Sequence, residues 1–436
     1  MSAVPARPAP LTRLADALET LPGGERARAR RAAALSRLIA LGLPTPRDAA
    51  WKYTNLRLLE RRELAPATPR PLAADVLAAL PELEAAALVF ADGRHVAALD
   101  RGTLPAGARF TPLAALLDAD LPGAPAARLA ASDHVDERVR LLNAAFATDG
   151  GELAVAAGST LERPLAVVHL AAAGGSYPRL LVTLAPGASA CLVEYHVASG
   201  DAESLAAPVT DVELGAGARL EHYTVQLGHA RAVQLADLSI RVSRDASYRH
   251  RHLAFGTQLA RLDLRLRLEG AGATAALAGF LLADRAAQLD VRTLVEHVAP
   301  HAVSDQRYRG VATDRGRGSY DGKVVVHPGA AGSDSRQSSR NLLLSREAAI
   351  DTRPQLEINN DDVKCSHGAT TGTLDEGMLF YLLARGLDAT TARALLTYAF
   401  TADVLGLVGL PALRRYAEER VLGSLPAAAL IREFVR

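Results

Sequence analysis

Between residues 151 and 370, apolar and polar positions alternate with the two-residue period of extended chain, as at Leu262, Leu264, Leu266 and Leu268. Such segments are strands with one apolar face. The alternation is interrupted at regular intervals by a turn-forming residue followed by a small one: Gly158–Ser159, Gly187–Ala188, Gly217–Ala218, Asp245–Ala246, Gly272–Ala273, His301–Ala302 and Gly329–Ala330. Successive spacings are 29, 30, 28, 27, 29 and 28 residues, and Pro186, Pro300 and Pro328 directly precede three of the turns. A constant period near 28 built from strands and turns predicts a β-solenoid, in which each coil buries its apolar face only by stacking on its neighbours. An evenly spaced β-sandwich is the alternative. Asp305 and Asp334 lie 29 apart, as do Arg307 and Arg336, so similar residues are expected to stack on adjacent coils.

Outside this stretch the period changes to helical. Ala and Leu recur at helical spacing through Leu11–Leu21 and Glu25–Leu43, with Pro44 and Pro46 as stops, so the first ~65 residues read as helical. Short strands are expected within 85–115, with Asp92–Gly93 as a turn, and loops around 64–81 and 104–125, where Pro and Ala are dense. After Gly372, Thr373 and Glu376 form a capping-box start. Gly386 would close that helix, Asp388 would cap the next, and Pro411 would begin a third. The division is therefore a helical or mixed region over 1–150, a solenoid over 151–370 and a helical region over 371–436. Helices at both ends are expected to cover the open coil ends, whose strand edges would otherwise be unpaired.

Composition narrows the function. The 436 residues are 49% hydrophobic and 22% charged, with a formal net charge of +1. That predicts a packed core and lacks the basic excess a nucleic-acid binder needs. No run approaches the roughly 18 apolar residues of a membrane helix. Met1–Leu21 holds three prolines and no continuous apolar stretch, unlike a secretory leader, and the chain has only two cysteines, Cys191 and Cys365. A reducing cytoplasm is the expected compartment. No phosphate loop, Gly-x-Ser-x-Gly elbow or Cys-x-x-Cys pair occurs, so nucleotide hydrolysis would have to come from a partner.

Three groups of residues are candidates for chemistry. His250 and His252 would share one strand face, as a solvated pair or a rung of a polar ladder more readily than as a metal site. Asp305, Asp314, Asp321, Asp334 and Asp351 resemble the clustered carboxylates of carbohydrate-active β-helix enzymes. The interleaved Arg307, Arg309, Arg315, Arg317, Arg336 and Arg340 favour ion pairing instead. Cys365-Ser366-His367 is the most informative group. Residues two apart on a strand face the same way, about 7 Å along the chain, and thiolate and imidazole both suit iron. Lys364, on the opposite side, is expected to lower the Cys365 thiol pKa through space.

The stretch Gln355-Leu356-Glu357-Ile358-Asn359-Asn360-Asp361-Asp362-Val363-Lys364-Cys365-Ser366-His367-Gly368-Ala369-Thr370 resembles the SufD family, subunits of the SUF iron–sulfur cluster assembly complex. So do Arg340-Asn341-Leu342-Leu343-Leu344-Ser345, Leu379-Phe380-Tyr381-Leu382, Trp51-Lys52-Tyr53-Thr54 and Leu142-Asn143-Ala144-Ala145-Phe146. Asn359-Asn360 departs from the family, which more often has an aromatic and an alanine there. The paralogous SufB family looks similar over the late solenoid but differs where Cys365 and His367 stand. The resemblance implies a right-handed parallel β-helix between helical terminal regions. It implies a scaffold, not an enzyme, that pairs with a SufB-like paralogue through the β-helix and binds a SufC-like ATPase through the C-terminal helices. A transient iron–sulfur cluster would form at the shared interface, with Cys365 and His367 as candidate ligands or assembly-site residues. A cluster normally takes four protein ligands, and a chain with two cysteines would have to share. A homodimer is the expected alternative when partners are absent. The competing function is a carbohydrate-active β-helix enzyme.

Overall fold

The computed structural model describes residues 14–62, 64–68, 75–113, 137–426 and 428–435. The expected helix start at Leu11 and parts of the two expected loops, at 69–74 and 114–125, lie outside the described residues. The chain is mainly β, a solenoid of about eight coils with helices at its termini. Each sequence period is one coil: one strand enters a back sheet and the next a front sheet, from Gly150–Val155 and Leu165–Ala171 to Ala349–Ile358 and Val363–Gly372. All the coil-to-coil pairings are parallel and in register.

The corners explain the period. Gly158, Gly187, Gly217, Asp245, Gly272 and His301 all adopt left-handed backbone with φ between 56° and 71°. From Gly187 to His301, each of their N–H groups donates to a carbonyl of the next corner, so the corners stack as a ladder. The following Ala188, Ala218, Ala246, Ala273 and Ala302 are fully buried in the lumen, where a larger side chain would collide with its neighbour above. The last corner departs from the prediction. Its left-handed residue is Gly332 (φ 72°), not Gly329, because two more residues lie between His301 and that corner. The register therefore slips to 31: Asp305 pairs with Arg336, Ser304 with Ser335 and Gln306 with Gln337. Asp305 does not stack on Asp334, nor Arg307 on Arg336.

Two covers lie on the flanks. On the back sheet, helices α1 (Glu25–Leu41) and α2 (Arg138–Phe146) and the turns after α1 bury Leu38, Trp51, Leu59, Leu142 and Phe146 against Val233, Leu235 and Leu259. Much of the predicted helix in the first 65 residues is turn and short 3₁₀ structure. Its polar residues act as clamps: Arg261 stacks on Trp51 at 4.0 Å, Thr54 donates to Asp290 at 2.7 Å, and Asn143 donates to the carbonyls of Pro178 and Ala207. At the front sheet, α3 (Glu376–Ala384) packs on α4 (Ala389–Leu405), which with α5 (Pro411–Ser424) lies against the strands, and α6 (Ala428–Val435) packs on both of these. There Tyr398, Leu405, Leu413 and Val421 pack on Tyr195, Tyr223, Leu253 and Phe280.

The N-cap of α3 is Asp375, whose carboxylate accepts from the Met378 N–H at 2.7 Å, so the Thr373 box is not used. Asp388 caps α4 and Pro411 opens α5 as expected. The C-terminal helices cover the front face and leave the coil end open, contrary to the expectation that they would cap it. Among the described residues, strands Ala349–Ile358 and Val363–Gly372 each have a neighbour on one side only. Among the described residues no helix is long and apolar enough to cross a membrane.

Candidate functional site

The last strand, Val363–Gly372, pairs with Ser333–Leu343 along its inner edge, and everything beyond Cys365 on it is exposed. Strand alternation sends Cys365 and His367 to the lumen side, behind Ser335 and Gln337 of the preceding coil. Cys365 is half-buried against the luminal core and His367 is exposed at the rim. Burial, and then the Asp334 carboxylate, push the Cys365 thiol above its ordinary pKa, against a hydrogen bond from the Ser335 backbone. Lys364 is not among the causes, because it projects from the other face, so the expected lowering does not occur. The thiol is neutral at physiological pH, and iron binding would displace its proton.

As a donor set the pair fits iron in type, a soft sulfur beside an imidazole nitrogen, and falls short in number, two donors where a cluster takes four. Cys191 cannot make up the difference. It lies six strands away in the same sheet, about 29 Å at the usual strand spacing, faces the helices, and is pushed up to about 12 by burial and Glu221. Among the described residues no three His, Cys, Asp or Glu side chains are placed to hold a metal ion.

His250 and His252 do share one strand face, but inside the lumen and fully buried. They are rungs of a polar ladder, the second of the two readings expected for them, and are not solvated; its other members, His169, Glu194, His196, His222 and Tyr248, were not picked out from the sequence. Glu194 has His222 Nε2 at 2.8 Å, accepts a hydrogen bond from Thr210 at 2.9 Å, and has His169 and His196 at 3.7 Å. Thr224 bridges His250 and His252, and Tyr248 bonds His222. Burial drives His196 down to about 3 and His252 to about 4. Burial alone would raise Glu194; the facing His169 and His222 outweigh it and hold the carboxyl well below its usual range. The available signal was the period itself, since Glu194, His222 and His250 stand 28 apart.

The clustered carboxylates are largely accounted for by ion pairs. Asp305 pairs with Arg307 and Asp334 with Arg336, Asp321 binds Arg353, and Asp314 accepts the N–H of the left-handed corner residue Arg285. Nothing in this arrangement favours a carbohydrate site.

Comparison with known proteins agrees with this geometry. Residues 167–400 match the family model described as SUF system FeS cluster assembly, SufBD core domain. That match covers more than half of the chain, and the chain belongs to this SufBD family. Within it the chain is SufD-like. It is 29% identical over 404 residues to the iron–sulfur cluster assembly protein SufD of Escherichia coli, covering 91% of this chain and 92% of that one. It is 30% identical over 406 residues to an iron–sulfur cluster assembly SufBD family protein of Synechocystis sp., with 88% of each covered. A chloroplastic protein of Arabidopsis thaliana, ABCI7, is 27% identical over 402 residues, with 89% of this chain and 84% of the relative covered.

Proposed function

We propose that this chain is a scaffold subunit of a SUF-type iron–sulfur assembly complex, and that the cluster is its cargo. The observation that carries the reading is the last strand: a thiol and an imidazole face the same side of an exposed edge strand that still has a free row of backbone N–H and C=O groups. An unpaired edge is a template for another strand. A SufB-like paralogue docking on this coil end would bring the missing ligands to Cys365 and His367 while covering the edge. This chain supplies a protonated thiol, an imidazole and a rigid base of stacked coils behind them.

The SufC-like ATPase is assigned to the region 371–436. Helix α3 supports this: Met378, Phe380, Tyr381 and Leu383 are exposed and only Leu379 of that helix is buried. An apolar helix left in water marks a binding surface. Its position directly after the ligand strand means that a partner pulling on α3 would pull on the site. The chain is assigned no catalytic residue, and its working compartment is assigned as the cytoplasm.

The test is iron–sulfur maturation in cells that carry the chain as their sole SufD-like subunit, measured for the Cys365→Ala, His367→Ala double variant beside its thermal unfolding. Maturation should collapse with little change in unfolding. Normal maturation would remove the site from these residues.

A further inference from the structure

Behind the open coil end the lumen is polar, and one chain of its hydrogen bonds starts at Gln306. Gln306 Oε1 accepts from the Thr293 hydroxyl at 2.8 Å and from the Tyr320 hydroxyl at 3.2 Å. Having given its proton to Gln306, the Tyr320 oxygen accepts from Gln337 Nε2 at 3.0 Å. All four side chains are buried. Two groups are left over at the ends of this chain, Gln306 Nε2 at the inner end and, toward the open coil end, Gln337 Oε1, a buried carbonyl oxygen that makes no hydrogen bond among the described residues as the side chains are placed. A buried acceptor left unmade is costly, so such a group calls for a donor. The next residue along the same luminal row is His367, the in-register partner of Gln337 on the last strand. In-register residues on parallel strands project the same way, one strand spacing apart.

Gly322 supplies a second, independent observation. On the opposite wall, a Cβ at Gly322 would lie 2.1 Å from Gln337 Nε2 and 2.5 Å from the Tyr320 hydroxyl. Its φ is not in the left-handed region, so backbone freedom does not require glycine there. The missing side chain is what makes room for the Gln337 amide beside the Tyr320 hydroxyl.

We propose that Gln337 is a positioning residue for His367: its Oε1 accepts the ring N–H of His367, which fixes one neutral tautomer and leaves the other ring nitrogen bare. Metal-binding histidines are commonly held in this way by an acceptor behind the ring, which fixes both tautomer and orientation. That the bare nitrogen serves as an iron ligand rests on the functional reading above; the hydrogen bond itself does not.

The experiment separates the two. NMR of the ring nitrogens is recorded near neutral pH on the full-length, metal-free chain with isotopically labelled histidine, the His367 signals being identified by their loss in His367→Ala. In the wild type, His367 should show one pyrrole-type and one pyridine-type nitrogen, the signature of a single tautomer. Gln337→Met, which removes the acceptor at similar size, and Gly322→Ala, which displaces the amide while keeping it, should both collapse that difference toward an exchange average. In cells, Gln337→Met should lower cluster maturation by about tenfold or more. A wild-type His367 that is already tautomer-averaged, or a single tautomer that survives both substitutions, overturns the proposal. If the tautomer responds as expected but His367→Ala leaves maturation normal, the positioning stands and the functional reading falls.

Discussion

The solenoid presents metal-binding residue types on the same inner face at two depths, and the two places have opposite characters. In the first to fourth coils, His169, Glu194, His196, His222, His250 and His252 are sealed in the lumen and engage one another. At the last coil, Cys365 and His367 stand on an edge strand with a free side. Residue chemistry alone would pick the first place, which has six groups against two. Access picks the second. A sealed ladder that no second chain can reach serves packing and register, even with both His169 nitrogens left without a hydrogen bond among the described residues, while a sparse pair at an open edge invites a second chain to complete it. The same fold thus turns one set of imidazoles into structure and leaves another for function, according to whether a further coil is stacked above.

The largest effect that would sharpen this contrast is the loss of maturation in the Cys365→Ala, His367→Ala variant. Its counterpart in the sealed ladder is Glu194→Ala, which strands Thr210 and His222 without their partner. Removing one member of a buried charged network costs about 3–5 kcal/mol, so this variant should show a large drop in thermal unfolding temperature. Any maturation loss should follow the loss of folded protein. If Glu194→Ala folded normally but failed in maturation, the sealed ladder would be functional and the contrast would break.

Next in size is the response to acid. Burial lowers His196 to about 3 and His252 to about 4, from an ordinary value near 6.5. The unfolded chain takes up these protons first, so the stabilisation is complete above about pH 6.5 and is lost as pH falls, down to about 4 for His252 and about 3 for His196. Each such group contributes a slope of about 1.4 kcal/mol per pH unit within its window. Urea unfolding measured across that range should show a steep loss, and His252→Gln should flatten the slope by one proton. A stability that does not change between pH 6.5 and 4 would mean that the ladder is wet.

Much of the architecture was legible in the sequence because the corner is demanding. Left-handed backbone followed by a buried small residue is written as Gly-Ala, Asp-Ala or His-Ala at five successive corners from Gly187 to His301, and the period near 28 follows. The failure at the last corner has the same cause. Gly329–Ala330 satisfies the sequence pattern, but the backbone requirement is met three residues later at Gly332, which shifts every pairing inferred from a 29-residue offset. The placement of the helices could not be read from chain order. Where they pack is decided by which outer face is apolar, and Tyr195, Tyr223, Val225 and Phe280 make that the front sheet. For the site, Cys365 and His367 sharing a face was readable from strand geometry. Their exposure was not, since it depends on the absence of another coil. Glu194 escaped notice because one acid in an apolar strand looks incidental until it is aligned with His222.

A smaller effect on the fold, and a large one on assembly, is expected at α3. Phe380 and Tyr381 are exposed, so Phe380→Asp should move the unfolding temperature little while weakening capture of the ATPase subunit in a pull-down from the reconstituted complex. Deleting 373–436 is the blunter instrument, because it also strips the cover from Tyr195, Tyr223 and Phe280 and should cost solubility. Undiminished capture by Phe380→Asp would move the docking surface off this helix.

The smallest effects should come from the other face of the ligand strand. Lys364 and Ser366 alternate with Cys365 and His367, and both are exposed. Neither is among the groups that shift the Cys365 thiol, which is governed by burial and Asp334. Their alanine variants keep the strand, its pairing with Ser333–Leu343 and the luminal donors, and lose only solvated surface, where substitutions usually change stability by about 0.5 kcal/mol or less. Maturation and unfolding should therefore both stay near the wild-type values when each variant is assayed beside Cys365→Ala. A maturation loss in Lys364→Ala as deep as that of Cys365→Ala would mean that the outer face of this strand also meets the partner or the cargo. The active surface would then be the whole edge and not its luminal side alone.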